Sequence, residues 1–218
     1  MKKVLSLIIG IVFLLTLVGC SSDKATTNEK RKIIDYSDKI TKSAEGFTKT
    51  NKLVVVAKNT SDADVDLTFK VNFYDGYDTL IGSDTPSLIG VGPGAEVAVL
   101  VNNTPYGFAR YEIAFEAKTS IYTKTFYKDI KLTDNKKLTV SAKVKNNSKE
   151  TIDYVSAAIV YYQSGAIVGY DSNSIYTIKA GETGLFNFYQ PNDEYYNEVP
   201  YDTYKVFINE SYSYRYVN

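Results

Sequence analysis

The sequence predicts an all-β chain: two antiparallel β-sandwiches in tandem, preceded by an export signal and a flexible tether. Three observations carry this reading. Short segments alternate apolar and polar residues with period two, as in Leu67-Thr68-Phe69-Lys70-Val71-Asn72-Phe73, so every second side chain falls on one face of a strand. Turn signals separate such segments at roughly 8–12-residue spacing, as in sandwiches and barrels. One line is written twice: Lys58 to Leu67 reads KNTSDADVDL and Lys145 to Tyr154 reads KNNSKETIDY, an offset of 87 residues. After the first twenty residues no stretch shows a sustained helical period.

In chain order, the first element is an export signal. Lys2 and Lys3 precede an apolar run from Val4 to Val18, which is shorter than the ~20 residues of a spanning helix. The run ends in Leu17-Val18-Gly19-Cys20, and Cys20 is the single cysteine of the 218-residue chain. This tetrapeptide resembles the lipobox of bacterial lipoproteins. The resemblance implies removal of residues 1–19 and transfer of a diacylglyceryl group to Cys20. It also implies a mature protein held on the outer face of a bacterial plasma membrane. Two acyl chains suffice for stable attachment, whereas one is marginal. With Cys20 modified, no thiol remains for a disulfide, so the fold must rest on its core.

Residues 20–45 read as the lipidated cysteine and its tether. Ser21 to Lys32 has no apolar residue larger than Ala25, and as a random coil it would span on the order of 20 Å. Ile33, Ile34, Tyr36 and Ile40 fit either a short helix or a first strand.

The first sandwich is expected over 46–132. Leu53, Val55 and Ala57 form one inward set, and the alternating Leu67–Phe73 segment forms a second. Val97, Val99 and Val101 follow the Gly92–Ala95 turn, then Tyr111, Ile113, Phe115 and Ala117. The second sandwich is expected over 133–218. At the constant offset, Asn59, Ser61, Asp66, Tyr74, Gly82 and Gly94 match Asn146, Ser148, Asp153, Tyr161, Gly169 and Gly181. Further on, YEIAF from Tyr111 matches YKVFI from Tyr204 at an offset of 93, so the second copy has a longer loop around PNDEYYNEVPYD. No Gly- or Pro-rich linker separates the copies, which predicts a short connection and restricted relative motion.

The Asn-rich turn, the strand Val71-Asn72-Phe73-Tyr74-Asp75, the following Gly82 and the PGAE turn at Pro93 resemble the FxLYD-type domain. In the second copy the strand reads Ala158-Ile159-Val160-Tyr161-Tyr162, keeping only the tyrosine. The resemblance covers about residues 46–118 and 136–210. It implies immunoglobulin-like sandwiches in an extracytoplasmic setting, and no reaction. Tyr111 and Tyr204 stand where such folds place a tyrosine corner, or they are amphipathic strand-end tyrosines.

Composition narrows the chemistry. Lys plus Arg total 25 and Asp plus Glu total 25; losing Lys2 and Lys3 leaves 23 against 25. That balance carries no electrostatic footprint for nucleic acid. With no histidine in the chain, Ser-His-Asp and Cys-His catalysis and most zinc sites are excluded. Asp62, Asp64 and Asp66 alternate like the start of a calcium loop but lack its later Gly and Glu, so a solvated turn is expected. No cofactor or metal site is expected. Paired carboxylates are the one catalytic route left, and no convergent pair stands out.

Candidate binding residues lie where the copies differ. At an offset of 87, the inward positions 67, 69, 71 and 73 become Tyr154, Ser156, Ala158 and Val160. The outward ones become the more apolar Val155, Ala157, Ile159 and Tyr161. A one-residue slip, coverage by another part of the chain, or a partner surface would each account for this. The partner reading makes Ile159 and Tyr161 candidate contacts. Tyr195, Tyr196 and Tyr201 on the enlarged loop join them, because tyrosine offers a rigid ring with a polar tip. Tyr212, Tyr214 and Tyr216 alternate like an edge strand. The expectation is therefore a non-catalytic, membrane-anchored module that contacts an envelope protein or wall component. The alternative is a small-ligand or cell-wall glycan receptor using the Tyr-rich loop.

Overall fold

The computed structural model describes residues 32–121, 123–136 and 140–214; the expected signal peptide, Cys20 and the tether up to Arg31 lie outside them. After a 3-10 turn at Ser37–Lys39, the strands are β1 Ile40–Phe47, β2 Leu53–Asn59, β3 Val65–Tyr74, β4 Leu80–Asp84, β5 Ser87–Val91, β6 Glu96–Val101 and β7 Arg110–Thr119. They continue as β8 Thr123–Thr125, β9 Ile130–Lys136, β10 Val140–Asn146, β11 Ile152–Gln163, β12 Ala166–Ile178, β13 Thr183–Phe188 and β14 Thr203–Tyr214. Residues 33–45 thus hold the 3-10 turn and the start of a strand rather than a tether.

Four antiparallel sheets form. In the first sandwich, β3 lies between β7 and the pair β4/β5, and the order β1-β2-β6 makes the facing sheet. In the second, β12-β11-β14-β8 faces β13-β10-β9. Leu67, Phe69, Val71 and Phe73 meet Leu53, Val55, Val97 and Val99 in the first core. Ile152, Val155, Ala157, Ile159 and Tyr161 meet Val140, Val144, Phe186 and Phe188 in the second. Alternation of the strand side chains produces both cores.

A third apolar layer joins the sandwiches. Val54, Val56 and Ala98 project from the far face of β1-β2-β6. They pack on Ala158, Val160, Ile167 and Phe207 from the far face of β12-β11-β14-β8. The four sheets are therefore stacked, with the two middle ones buried on both faces. At about 1.5–3 kcal/mol per buried Val, Ile or Phe, the five large side chains of this layer contribute on the order of 10 kcal/mol.

The repeat extends further towards the N-terminus than expected. The backbone N–H of Tyr36 donates to Ala117 O at 2.8 Å, and that of Phe126 donates to Ser211 O at 2.9 Å. Lys39 N–H donates to Tyr36 O and Asp129 N–H to Phe126 O, each at 2.9 Å. Each copy thus starts with a short arm laid along its own last strand. The first sandwich begins near residue 33 rather than 46. The chain crosses to the second between Thr119 and Thr123, about ten residues ahead of the expected 132/133 boundary.

The duplicated line is a buried plug. Asn59 and Asn146 are both fully buried. Asn59 Nδ2 donates to Ala63 O, Val91 O and Gly92 O at 2.9–3.1 Å, and Asn146 Nδ2 donates to Glu150 O and Ile178 O at 2.8–2.9 Å. Their Oδ1 atoms accept from the N–H of Ser61 and Ser148. Gly94 and Gly181 sit at φ +75° and +76°, where a side chain would be strained, and donate back to Asn59 O and Asn146 O. Asp66 Oδ1 accepts from Gly90 N–H at 2.9 Å, a turn-fixing role.

Candidate functional site: the seam between the sandwiches and the tyrosine hairpin

Two of the expected contact residues are core residues. Ile159 and Tyr161 are both fully buried in the second core, and Tyr161 Oη donates to Tyr189 O at 2.8 Å. The cause is a slip combined with coverage. Val65 and Ile152 are equivalent at an offset of 87, but Leu67 and Phe73 are equivalent to Val155 and Tyr161 at 88, so β11 gains a residue between Ile152 and Val155. Every later side chain then changes face. The face carrying Ala158 and Val160 is covered by the first sandwich.

The slip is absorbed by two bulges that face each other. In the first copy the pairing of β3 with β5 shifts between Val65 and Leu67, beside Ile89 and Gly90; in the second, β11 pairs Ser156 with Glu210 but Ala157 with Ile208, leaving Asn209 as the extra residue. Asn209 reaches across the seam: its Nδ2 donates to Ala98 O at 2.7 Å and its Oδ1 accepts from Ala98 N–H at 2.9 Å. That pair satisfies the free edge of β6. Glu210 Oε1 accepts from Ile89 N–H at 2.8 Å and Oε2 from Ser156 Oγ at 2.7 Å. Burial pushes the Glu210 carboxyl up, against the lowering effect of those two bonds. Tyr127 Oη donates to Asn209 O, and Lys205 Nζ pairs with Glu96 at 2.5 Å.

Beside this bonded strip the seam opens. A cleft of about 440 Å³ runs between Ser87, Leu88 and Leu100 of the first sandwich and Tyr154, Tyr170 and Ser172 of the second. A further space of about 250 Å³ shares Leu100 and Tyr170 with it and continues to Thr48, Tyr189 and Asn192. At the other end, Tyr154 packs against Tyr176 and Tyr212, with ring centroids 5.2 and 5.4 Å away, and Tyr214 extends the row. Tyr212 and Tyr214 do not form an edge, because β8 pairs with them; Tyr216 lies outside the described residues. Composition hinted at these tyrosines, but only the slip put Tyr154 on the seam side of the sheet.

The enlarged loop is an ordered hairpin. Asp193 Oδ1 accepts from Tyr195 N–H and Asn197 N–H at 2.9 Å, Tyr196 takes φ +64°, and Val199 N–H closes onto Pro191 O at 2.8 Å. The bonds from Asn197 hold the Asp193 carboxyl below its usual range. Tyr195 and Tyr196 stand 75% and 87% exposed. Tyr201 is half-buried and meets Tyr161 edge-on at 4.7 Å. Of the two readings of Tyr111, its packing with Phe47, Phe73 and Phe108 fits the amphipathic strand-end tyrosine. Tyr204 is pushed up to about 12 by burial and by its hydrogen bond to Asp134.

Among the described residues, no group of three or more acidic or cysteine side chains could hold a metal ion, and no helix is long and apolar enough to cross a membrane. No family model matches the chain, and the comparison with curated proteins finds no relative.

Proposed function

We propose that the chain is an extracytoplasmic lipoprotein of the FxLYD type. It is anchored through Cys20 to the outer face of a bacterial plasma membrane and works as a non-catalytic binding module of the envelope. The lipobox-like LVGC supports the anchor. The observation that favours binding over a purely structural role is the hairpin at 191–199. It holds Tyr195 and Tyr196 in solvent on a backbone already ordered by Asp193, so little ordering entropy is lost when a partner docks. Of the five expected contacts, Tyr195 and Tyr196 remain; Tyr201 supports the loop from beneath.

The test uses whole cells carrying the full-length protein with a photo-crosslinker at Asn197. A discrete crosslinked species that disappears in Tyr195→Ala/Tyr196→Ala is expected. An unchanged crosslinking pattern removes this placement, and release of a Cys20→Ser variant into the medium checks the anchor.

A further inference from the structure

The geometry points to the seam between the sandwiches as a binding groove for a neutral, linear oligosaccharide. This rests on the reading of the chain as a binding module, but on a surface that meets the hairpin only at its base, Pro191 and Asn192, away from Tyr195 and Tyr196.

The larger cleft lies within the ~300–1,000 Å³ of small-molecule sites. No Lys, Arg or His lines it, so a phosphate, sulfate or carboxylate ligand would find no counter-charge. Its one carboxylate, Glu210, is already engaged by Ile89 N–H and the Ser156 hydroxyl. A cationic ligand would have to compete with those bonds. What remains is a set of groups that both donate and accept: the hydroxyls of Ser172 and Ser174 and the side-chain amide of Asn102, while the Ser87 hydroxyl is shared with Thr68 and the Asn173 amide is bonded to Asn187 O and Ser174 N–H. Sugar hydroxyls have the same dual character. Tyr154 and Tyr170 add ring surface for the C–H faces of a pyranose.

The continuation argues for a chain rather than a single sugar. The second space joins the first at Leu100 and Tyr170 and adds Thr48, Thr50, Gln190 and Asn192, again hydroxyls and amides. It carries Lys52 and Asp171 as one charge of each sign, and Asp171 is bonded to Tyr189 N–H at 2.7 Å. The groove is also built from both copies. Neither sandwich alone has two walls, which gives the stacked arrangement a use that a single domain lacks.

The experiment is calorimetric titration of the mature protein, purified from membranes in detergent micelles, with chitotetraose and maltotetraose. Spermidine and a heparin tetrasaccharide serve as the charged alternatives. Two variants block the groove from opposite walls at exposed positions, Ser172→Tyr and Asn102→Trp, with unchanged melting temperature as the check on folding. Expected is binding of at least one neutral tetrasaccharide, weakened at least about tenfold by either blocking variant and untouched by Tyr195→Ala/Tyr196→Ala. Three results overturn the proposal: no binding of either neutral sugar at millimolar concentration, binding indifferent to both blocking variants, or binding of the charged ligands alone. No partner protein is present in this assay, so its failure leaves the hairpin crosslinking test standing, and the reverse also holds.

Discussion

The two sandwiches share a plan and differ at one inserted residue. In the first copy β3 turns Thr68, Lys70, Asn72 and Tyr74 outward, where Lys70 pairs with Glu116. In the second, the equivalent outward positions, one count later because of the extra residue between Ile152 and Val155, hold Ala158 and Val160, and the first sandwich covers them. The docking face of the second copy therefore comes from small apolar side chains where the first copy has Lys70 and Asn72, with the turns and cores kept. Positions in the repeat are equivalent by face, not by count.

The strongest test sets Val160 against Asn72, its equivalent at the new offset. Val160→Asp places an unpaired charge in the shared layer and should lower stability by about 3–5 kcal/mol. Asn72→Asp, on an outer face, should change it by under about 0.5 kcal/mol. Calorimetry of the parent protein should show one transition; Val160→Asp should split it in two as the sandwiches uncouple.

Most of the fold was legible because strand alternation and turn chemistry are local. Leu67 to Phe73 declared its phase, and Asn59 and Asn146 declared the repeat. The docked layer was written too, as unbroken apolar runs: Leu53 to Ala57 and Val97 to Val101 are strands buried on both faces. Period-two alternation marks only one face of those runs. The seam was not legible. It depends on which backbone N–H groups Asn209 and Glu210 accept from, more than a hundred residues away in sequence, and on a bulge that no local signal marks. Ile159 and Tyr161 were misplaced for the same reason, since an offset taken from the turns does not survive an insertion within the strand.

The plug asparagines come next. Removing either amide takes a donor from buried carbonyls, Val91 O and Gly92 O at Asn59 and Ile178 O at Asn146, at a cost of about 1–3 kcal/mol for each group left unsatisfied. Ala63 O and Glu150 O keep the hydroxyls of Ser61 and Ser148. Asn59→Ala should be the more damaging, because Asn59 serves three carbonyls and Asn146 two. Urea denaturation midpoints at constant slope would rank them; equal losses would mean that the third contact carries no weight.

A smaller contrast concerns the duplicated glycines. A Cβ on Gly169 would lie 2.2 Å from Cβ of Pro191, whereas one on Gly82 would lie 3.0 Å from Cγ of Pro105. Gly169→Ala should therefore cost about 1–3 kcal/mol through forced displacement of the loop that leads to the hairpin, and Gly82→Ala less than about 1 kcal/mol. The melting temperatures of the two variants check this, and a larger loss at Gly82 would reverse the expected tightness of the two loops.

The smallest effect is the most diagnostic, because it changes sign between the copies. Glu116 pairs with Thr68 and Glu210 with Ser156 across equivalent strands, so the two carboxylates occupy one position of the repeat. Hydrogen bonds from Lys118 and Lys70 hold Glu116 down to about 2, against an ordinary value near 4.5. Burial in the seam pushes Glu210 up, with no cation beside it. The consequences for stability run in opposite directions. A lowered carboxyl stabilises the fold above its ordinary value, and that contribution disappears as the pH falls from about 4.5 to about 2. A raised carboxyl binds its proton more tightly in the folded state, so stability declines as the pH climbs from the ordinary range to the raised value. Glu116→Gln should thus lower the melting temperature at neutral pH and match the parent in strong acid. Glu210→Gln keeps an oxygen for Ile89 N–H and removes the buried charge, so it should raise the melting temperature at neutral pH and lose that advantage in acid. Each shift should stay below about 4 °C. Salt should erase the Glu116 effect, which is exposed and screened, and spare the Glu210 effect, which is not. Melting curves from strong acid to neutral pH, at low and high salt, read both signs at once. Shifts of the same sign would mean that the seam is open to water at Glu210 and that the two sandwiches are less tightly docked than the bonds to Ile89 and Ala98 require.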